Sequence, residues 1–114
     1  KKDTALHYGI DFGVPEGTEV ASCGSGKVIL AENRISTGWS VVIEHLPGLY
    51  SIYYHMNSLK VSENQMVKKG DIIGLSGATG MATGPHLHWE IRLNGKAVNP
   101  DLFLSDFAFI EKKN

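Results

Sequence analysis

The 114-residue chain contains one cysteine, Cys23, so neither an internal disulfide nor a multi-cysteine zinc cage can form. Long apolar runs are missing too. Stretches such as Val28 to Ala31 fall far short of the roughly 18 residues that span a bilayer, and no signal-like segment opens the sequence. The Lys1-Lys2-Asp3 start is expected to be a trimming point, with any export signal or anchor belonging to a longer parent. Charge of one sign is also absent: 11 Lys and Arg against 12 Asp and Glu leave a net charge of -1, and the lysines are scattered or terminal. Without a basic stripe, nucleic acid is not expected as a partner. No long stretch carries a helical period.

What is present is a globular balance, 42% hydrophobic and 20% charged, in a length suited to a single domain over residues 1–114. Thirteen glycines and four prolines punctuate short segments rich in valine, isoleucine and aromatics, the rhythm of antiparallel β-structure. Strands are predicted near Thr18 to Ala21, Gly26 to Asn33, Trp39 to His45, Leu49 to His55, Ile72 to Ser76 and His86 to Arg92. The third and fourth read as a hairpin turning through Leu46-Pro47-Gly48, which puts His45 and His55 at opposite ends. The expected fold is all-β, a twisted antiparallel sheet or sandwich. Cys23, within Ala21-Ser22-Cys23-Gly24-Ser25-Gly26, reads as an inert small hydrophobe rather than a nucleophile. Ser76 to Pro85 is a loop of small residues of the kind that borders sites, and Phe107 to Ile110 is an apolar piece that could cover the core.

Five histidines stand at positions 7, 45, 55, 86 and 88. In His86-Leu87-His88, strand alternation sends His86, His88, Glu90 and Arg92 to one face and Leu87, Trp89 and Ile91 to the other. Two neighbouring imidazoles can share a metal, or one can hold it while the other reaches its water. His7 and Asp11, four residues apart around Gly9, can converge on one ion if the chain bends. Adding one histidine of the pair gives three N/O ligands with a fourth position open, the pattern of catalytic zinc. Either spacing alone is a common coincidence on a strand face; their coexistence in so small a chain favours a metal site.

At these residues the sequence resembles the lysostaphin-type (LytM-like, M23) zinc metallopeptidases, from His7 to about Leu104. His7-Tyr8-Gly9-Ile10-Asp11-Phe12 is similar to the family's first metal motif and Thr83-Gly84-Pro85-His86-Leu87-His88-Trp89-Glu90-Ile91 to its second. Tyr53-Tyr54-His55 and Val98-Asn99-Pro100 fit its middle and closing segments. Met56 and Trp39 depart from the family's usual residues and bear on the cleft wall. The resemblance implies that His7, Asp11 and His88 bind Zn2+, that His55 and His86 act on the water or the developing oxyanion, and that Tyr53 adds a hydrogen bond there. It implies metal-activated hydrolysis of a peptide link in bacterial peptidoglycan, in the cross-bridge or stem peptide. It also implies work outside the cytoplasm, in the periplasm, the envelope or the medium. A monomeric domain is expected.

Other polar residues take structural readings. His45 is read as a solvated or cross-strand residue, Asp71 as a turn residue and Trp89 as core. Glu90 is read either as support for the site or as a salt-bridged edge residue, and Glu16, Glu19 and Glu44 do not pair convincingly as glycosidase carboxylates. Two rival functions remain: a catalytically silent module of the same fold that activates a separate wall hydrolase, and a β-domain carrying phosphate on histidine. The second leaves Asp11 and the His7 spacing unexplained.

Overall fold

A computed structural model describes residues 9–98. Their branched and aromatic segments form nine strands: β1 (Ile10–Phe12), β2 (Glu19–Ala21), β3 (Gly26–Arg34), β4 (Gly38–Leu46), β5 (Leu49–Leu59), β6 (Met66–Val67), β7 (Ile72–Ser76), β8 (Leu87–Leu93) and β9 (Lys96–Val98). There is no helix among the described residues. The strands join one sheet in the order β1-β8-β5-β4-β3-β6, with β7 pairing both β2 and β5, and β9 pairing β8. Every pairing is antiparallel.

Alternation decides which face is core. Leu87, Trp89 and Ile91 of β8 are buried beside Tyr53 of β5 and Val41 and Ile43 of β4. Cys23 is fully buried in the same cluster, and burial raises its thiol pKa, in keeping with an inert packing role. Asp71 caps its turn by accepting the Lys68 N–H at 2.8 Å.

Strand β5 controls the geometry of the site. Its first half, Leu49 to Tyr54, lies between β4 and β8, whereas Met56, Ser58 and Leu59 pair with β7. His55 stands at the divergence with φ 63°, a left-handed conformation that is uncommon for a residue with a side chain. Its N–H donates to the Thr37 carbonyl at 2.7 Å, outside both ladders. The strand was expected to end at His55; it continues to Leu59 because β7 supplies a new partner exactly where β8 is left behind. β1, β6 and β9 were not foreseen, since segments of two or three residues are too short to show a period. β8 begins at Leu87, with His86 held only by an isolated bridge to Gly77. Asn99-Pro100 and Phe107 to Ile110 lie outside the described residues.

Candidate active site

The β1–β8 ladder sets Asp11 opposite His88, and the β5–β8 ladder sets Tyr54 opposite His88 from the other side. His88 is therefore held at the middle of three strands. Asp11 Oδ1 lies 2.8 Å from His88 Nδ1 and 3.7 Å from His86 Nε2. The Tyr54 ring stacks on His88 with centroids 5.4 Å apart and planes 10° from parallel. Gly9 backs the same imidazole so closely that a Cβ there would overlap its Cε1 and Nε2. Further along β8, Glu90 Oε1 accepts from His88 Nε2 at 2.9 Å, and Arg92 Nε donates to Glu90 Oε2 at 2.6 Å.

His55 and His86 are pinned differently. His55 Nδ1 lies 2.8 Å from the Thr79 carbonyl, and His86 Nδ1 lies 2.9 Å from the Gly84 carbonyl. A carbonyl oxygen can only accept, so each ring carries its proton on Nδ1 and, when neutral, keeps the Nε2 lone pair for chemistry. The two rings are neighbours, with centroids 4.9 Å apart. Burial holds the His55 pKa below the ordinary histidine value, so that ring is neutral near pH 7 and its Nε2 lone pair is available. For His88, burial acts in the same direction but is outweighed by the hydrogen bonds and charges of Glu90 and Asp11, and its pKa is raised. The Glu90 pKa is lowered, chiefly by the bond from His88.

The loop between β7 and β8 is fastened by Thr79. Its hydroxyl accepts from the Trp39 N–H at 3.0 Å and donates to the Met56 carbonyl. Gly38 and Gly80, both with positive φ, touch backbone to backbone at this point, where any side chain would collide. Thr79 thereby sets the carbonyl that orients His55.

The structure thus brings four of the sequence-predicted site residues together: Asp11, His55, His86 and His88. His7 lies outside the described residues. Tyr53 is not brought there. It pairs with Trp89 on the core side, is 1% exposed, and its hydroxyl accepts from the Cys23 N–H at 3.0 Å, with the Ser51 hydroxyl 2.9 Å away. The expected hydrogen bond from Tyr53 to the reacting groups is therefore replaced by ring contact from its neighbour Tyr54. Strand parity could have separated the two tyrosines, but only once the register of β5 on β8 was known. His45 stays at the turn end of the β4–β5 hairpin, bonded to the Ser25 carbonyl at 2.8 Å and the Ser51 hydroxyl at 2.7 Å.

A carboxylate oxygen and imidazole nitrogens converging at Asp11 are the donor chemistry that suits zinc. Among the described residues no group of three or more His, Cys, Asp or Glu side chains is arranged to hold a metal ion. Asp11 and His88 fit as two of the three ligands, and the segment leading into Asp11 carries the third candidate, His7.

Known proteins are similar to this chain along most of its length. The model of peptidase family M23 matches residues 5–100. The chain is 40% identical over 95 residues to the DD-carboxypeptidase/endopeptidase Mpg of Neisseria meningitidis, covering 83% of this chain and 22% of that protein. It is 43% identical over 98 residues to the peptidoglycan DD-endopeptidase ShyA of Vibrio cholerae, covering 86% and 23%. It is 42% identical over 96 residues to the murein hydrolase activator EnvC of Escherichia coli, covering 84% and 23%. The chain thus spans about a quarter of the length of these relatives. An M23 peptidase structure from Pseudomonas aeruginosa superposes with a TM-score of 0.85 at 38% identity, over 94% of this chain and 47% of that one. A zinc-containing peptidase from Vibrio cholerae gives 0.79 at 42%, over 82% and 29%. The catalytic domain of lysostaphin from Staphylococcus simulans gives 0.81 at 35%, over 87% and 79%.

Proposed function

The chain belongs to peptidase family M23, and on that premise we propose that it is a zinc-dependent endopeptidase hydrolysing peptide bonds of bacterial peptidoglycan outside the cytoplasm. The observation that carries this reading is the division of labour among the histidine nitrogens. His88 turns Nδ1 towards Asp11, while His55 and His86 commit Nδ1 to backbone carbonyls and keep Nε2 for proton transfer. On this reading His55 and His86 cannot turn Nδ1 to the ion without breaking a hydrogen bond to a backbone carbonyl.

His7, Asp11 and His88 would hold the zinc, whose chemistry when bound is to polarise a carbonyl and make water acidic near neutral pH. His55, kept neutral by burial, accepts a proton at Nε2. His86, with its Nε2 beside Asp11, would do its work once that nitrogen has taken up a proton: the imidazolium stabilises negative charge developing on the carbonyl oxygen or returns the proton to the leaving amine. Tyr54 and Gly9 keep the His88 ring from turning, so the Asp11 and His88 donors stay in place between turnovers. The substrate is a cross-bridge or stem peptide, by similarity to relatives named as peptidoglycan endopeptidases. A place in the periplasm, envelope or medium follows from where that substrate lies.

Digestion of purified peptidoglycan, read by mass spectrometry with and without a zinc chelator, tests the proposal. New amine termini that vanish on chelation are expected. New reducing sugar ends would instead indicate a glycosidase, and an undigested wall would remove the enzyme reading. The similarity to EnvC supports one second reading, an activating module. It would be favoured if the domain cut nothing but raised the rate of a separate wall hydrolase.

A further inference from the structure

We infer that Glu90, steadied by Arg92, is a positioning residue that selects which nitrogen of His88 is presented to the metal. The inference rests on the zinc reading above and extends it to residues that touch neither substrate nor ion. An imidazole has two nitrogens, and a neutral ring offers only one lone pair. Glu90 Oε1 stands 2.9 Å from His88 Nε2 and Asp11 Oδ1 2.8 Å from Nδ1, and both carboxylates can only accept; if Asp11 turns to an ion, Glu90 still holds the Nε2 proton, so the proton that leaves is the one on Nδ1. Nδ1 is the atom that faces Asp11 at 2.8 Å.

Three features make Glu90 suited to this work. It is only 7% exposed, so its bond to the ring is little weakened by competing water. Its second oxygen is bound by Arg92 Nε at 2.6 Å, which fixes the carboxylate plane. Its spacing is that of one strand: His88, Glu90 and Arg92 are alternate residues of β8 on one face, so the relay is built into backbone geometry. Tyr54 stacked on the ring and Gly9 behind it block a flip that would swap the nitrogens. A carboxylate–histidine–metal relay also raises the basicity of the ligand, and losing the outer partner generally weakens metal binding about 10- to 100-fold.

The test compares wild type, Glu90→Gln and Arg92→Gln as purified proteins. Zinc affinity is measured by competition with a chelating dye, and the His88 nitrogens are observed by 15N NMR of histidine-labelled, zinc-loaded protein. For wild type, a protected Nε2–H and a metal-bound Nδ1 are expected. Glu90→Gln should bind zinc about 10- to 100-fold more weakly and lose the protected Nε2–H, while the metal-free melting temperature stays near that of wild type. Arg92→Gln should shift both readouts in the same direction by less. Zinc affinity within about twofold of wild type, or an unchanged Nε2–H signal in Glu90→Gln, overturns the inference. A fall in affinity that merely follows a fall in metal-free stability overturns it as well, because it assigns Glu90 to the fold alone. Should Glu90→Gln fail to fold, Arg92→Gln carries the test, and wild-type behaviour there overturns the inference. Failure of the zinc reading itself looks different: wild type would then take up no zinc at all.

Discussion

Asp11 and His88 are 77 positions apart in the chain, yet they face each other across the β1–β8 ladder with Oδ1 2.8 Å from Nδ1. Among the described residues, the Asp11 side of the pair rests on a three-residue strand whose Ile10 and Phe12 pack against the core. That side is also the more exposed: the Asp11 side chain is 63% accessible against 22% for His88. The proposed ligand pair is thus anchored mainly through β8, and substitutions along β8 and around its central histidine should affect metal binding first.

Asp11→Ala and His88→Ala, together with His7→Ala, should lose both bound zinc and cleavage, because each removes a proposed ligand. His55→Ala and His86→Ala should keep zinc and lose cleavage by about 10²- to 10⁴-fold, the usual worth of a positioned acid or base. Zinc content and peptide cleavage measured on the same variants check this. Metal loss from His86→Ala but not from His88→Ala would reverse the assignment within the pair.

Removing the metal should stop cleavage without unfolding the domain. The largest fully buried side chains, among them Trp89, Tyr53, Ile43 and Met56, form a core that does not include Asp11, His55, His86 or His88, so the fold should persist without an ion. Circular dichroism before and after chelation is the measurement, and collapse of the β signal would make the zinc structural.

Gly9→Ala should fold and yet be nearly inactive. A methyl group at position 9 meets the His88 ring directly, so the imidazole must shift from its place beside Asp11. A displacement on the order of 1 Å at a reacting centre can cost about 10²-fold in rate. Cleavage at saturating substrate, set beside the melting temperature, separates this from general destabilisation. Wild-type turnover would show that the ring can relax without consequence.

Tyr54→Phe should be almost silent and Tyr54→Ala harmful, since the contact with His88 is made by the ring face. Losing a stacked pair is worth about 0.5 to 1.5 kcal/mol, which corresponds to a weakening of zinc binding by roughly 2- to 10-fold. Titration of both variants with zinc distinguishes ring from hydroxyl. A phenylalanine variant as defective as the alanine one would assign the effect to the hydroxyl instead.

His45 should govern part of the acid sensitivity of the fold and none of the chemistry. Burial places its folded-state pKa below the 6.5 of a free histidine. Above 6.5 the ring is neutral in both states and its contribution is intact. As pH falls below that value the unfolded chain takes up the proton first, so stability declines until the folded-state pKa is passed. Denaturant unfolding from about pH 7.5 to about pH 5 should therefore show a shallower loss for His45→Gln than for wild type, with neutral-pH cleavage unchanged. Parallel stability curves for the two proteins would remove His45 from the account.

The sequence alone determined the class of fold and the residue types from which the site is built. Strand alternation in Leu87 to Arg92 separated Trp89 and Ile91 from His88 and Glu90, because side-chain direction in a strand depends only on parity. The pairing of two metal-type motifs suggested a metal site with an open position, since ligand types follow from composition and spacing, and the family resemblance added hydrolysis. Tertiary structure decided what parity cannot reach across strands. Only the register of β5 on β8 sent Tyr53 to the core and Tyr54 to the His88 ring. Only the exchange of β8 for β7 as the partner of β5 forced His55 into its left-handed backbone, beyond which the strand runs on to Leu59. Which nitrogen each histidine presents was likewise set by the Thr79 and Gly84 carbonyls and by Asp11 and Glu90. Those hydrogen bonds depend on distances of a few ångströms between strands and loops, and such distances exist only once the chain has folded.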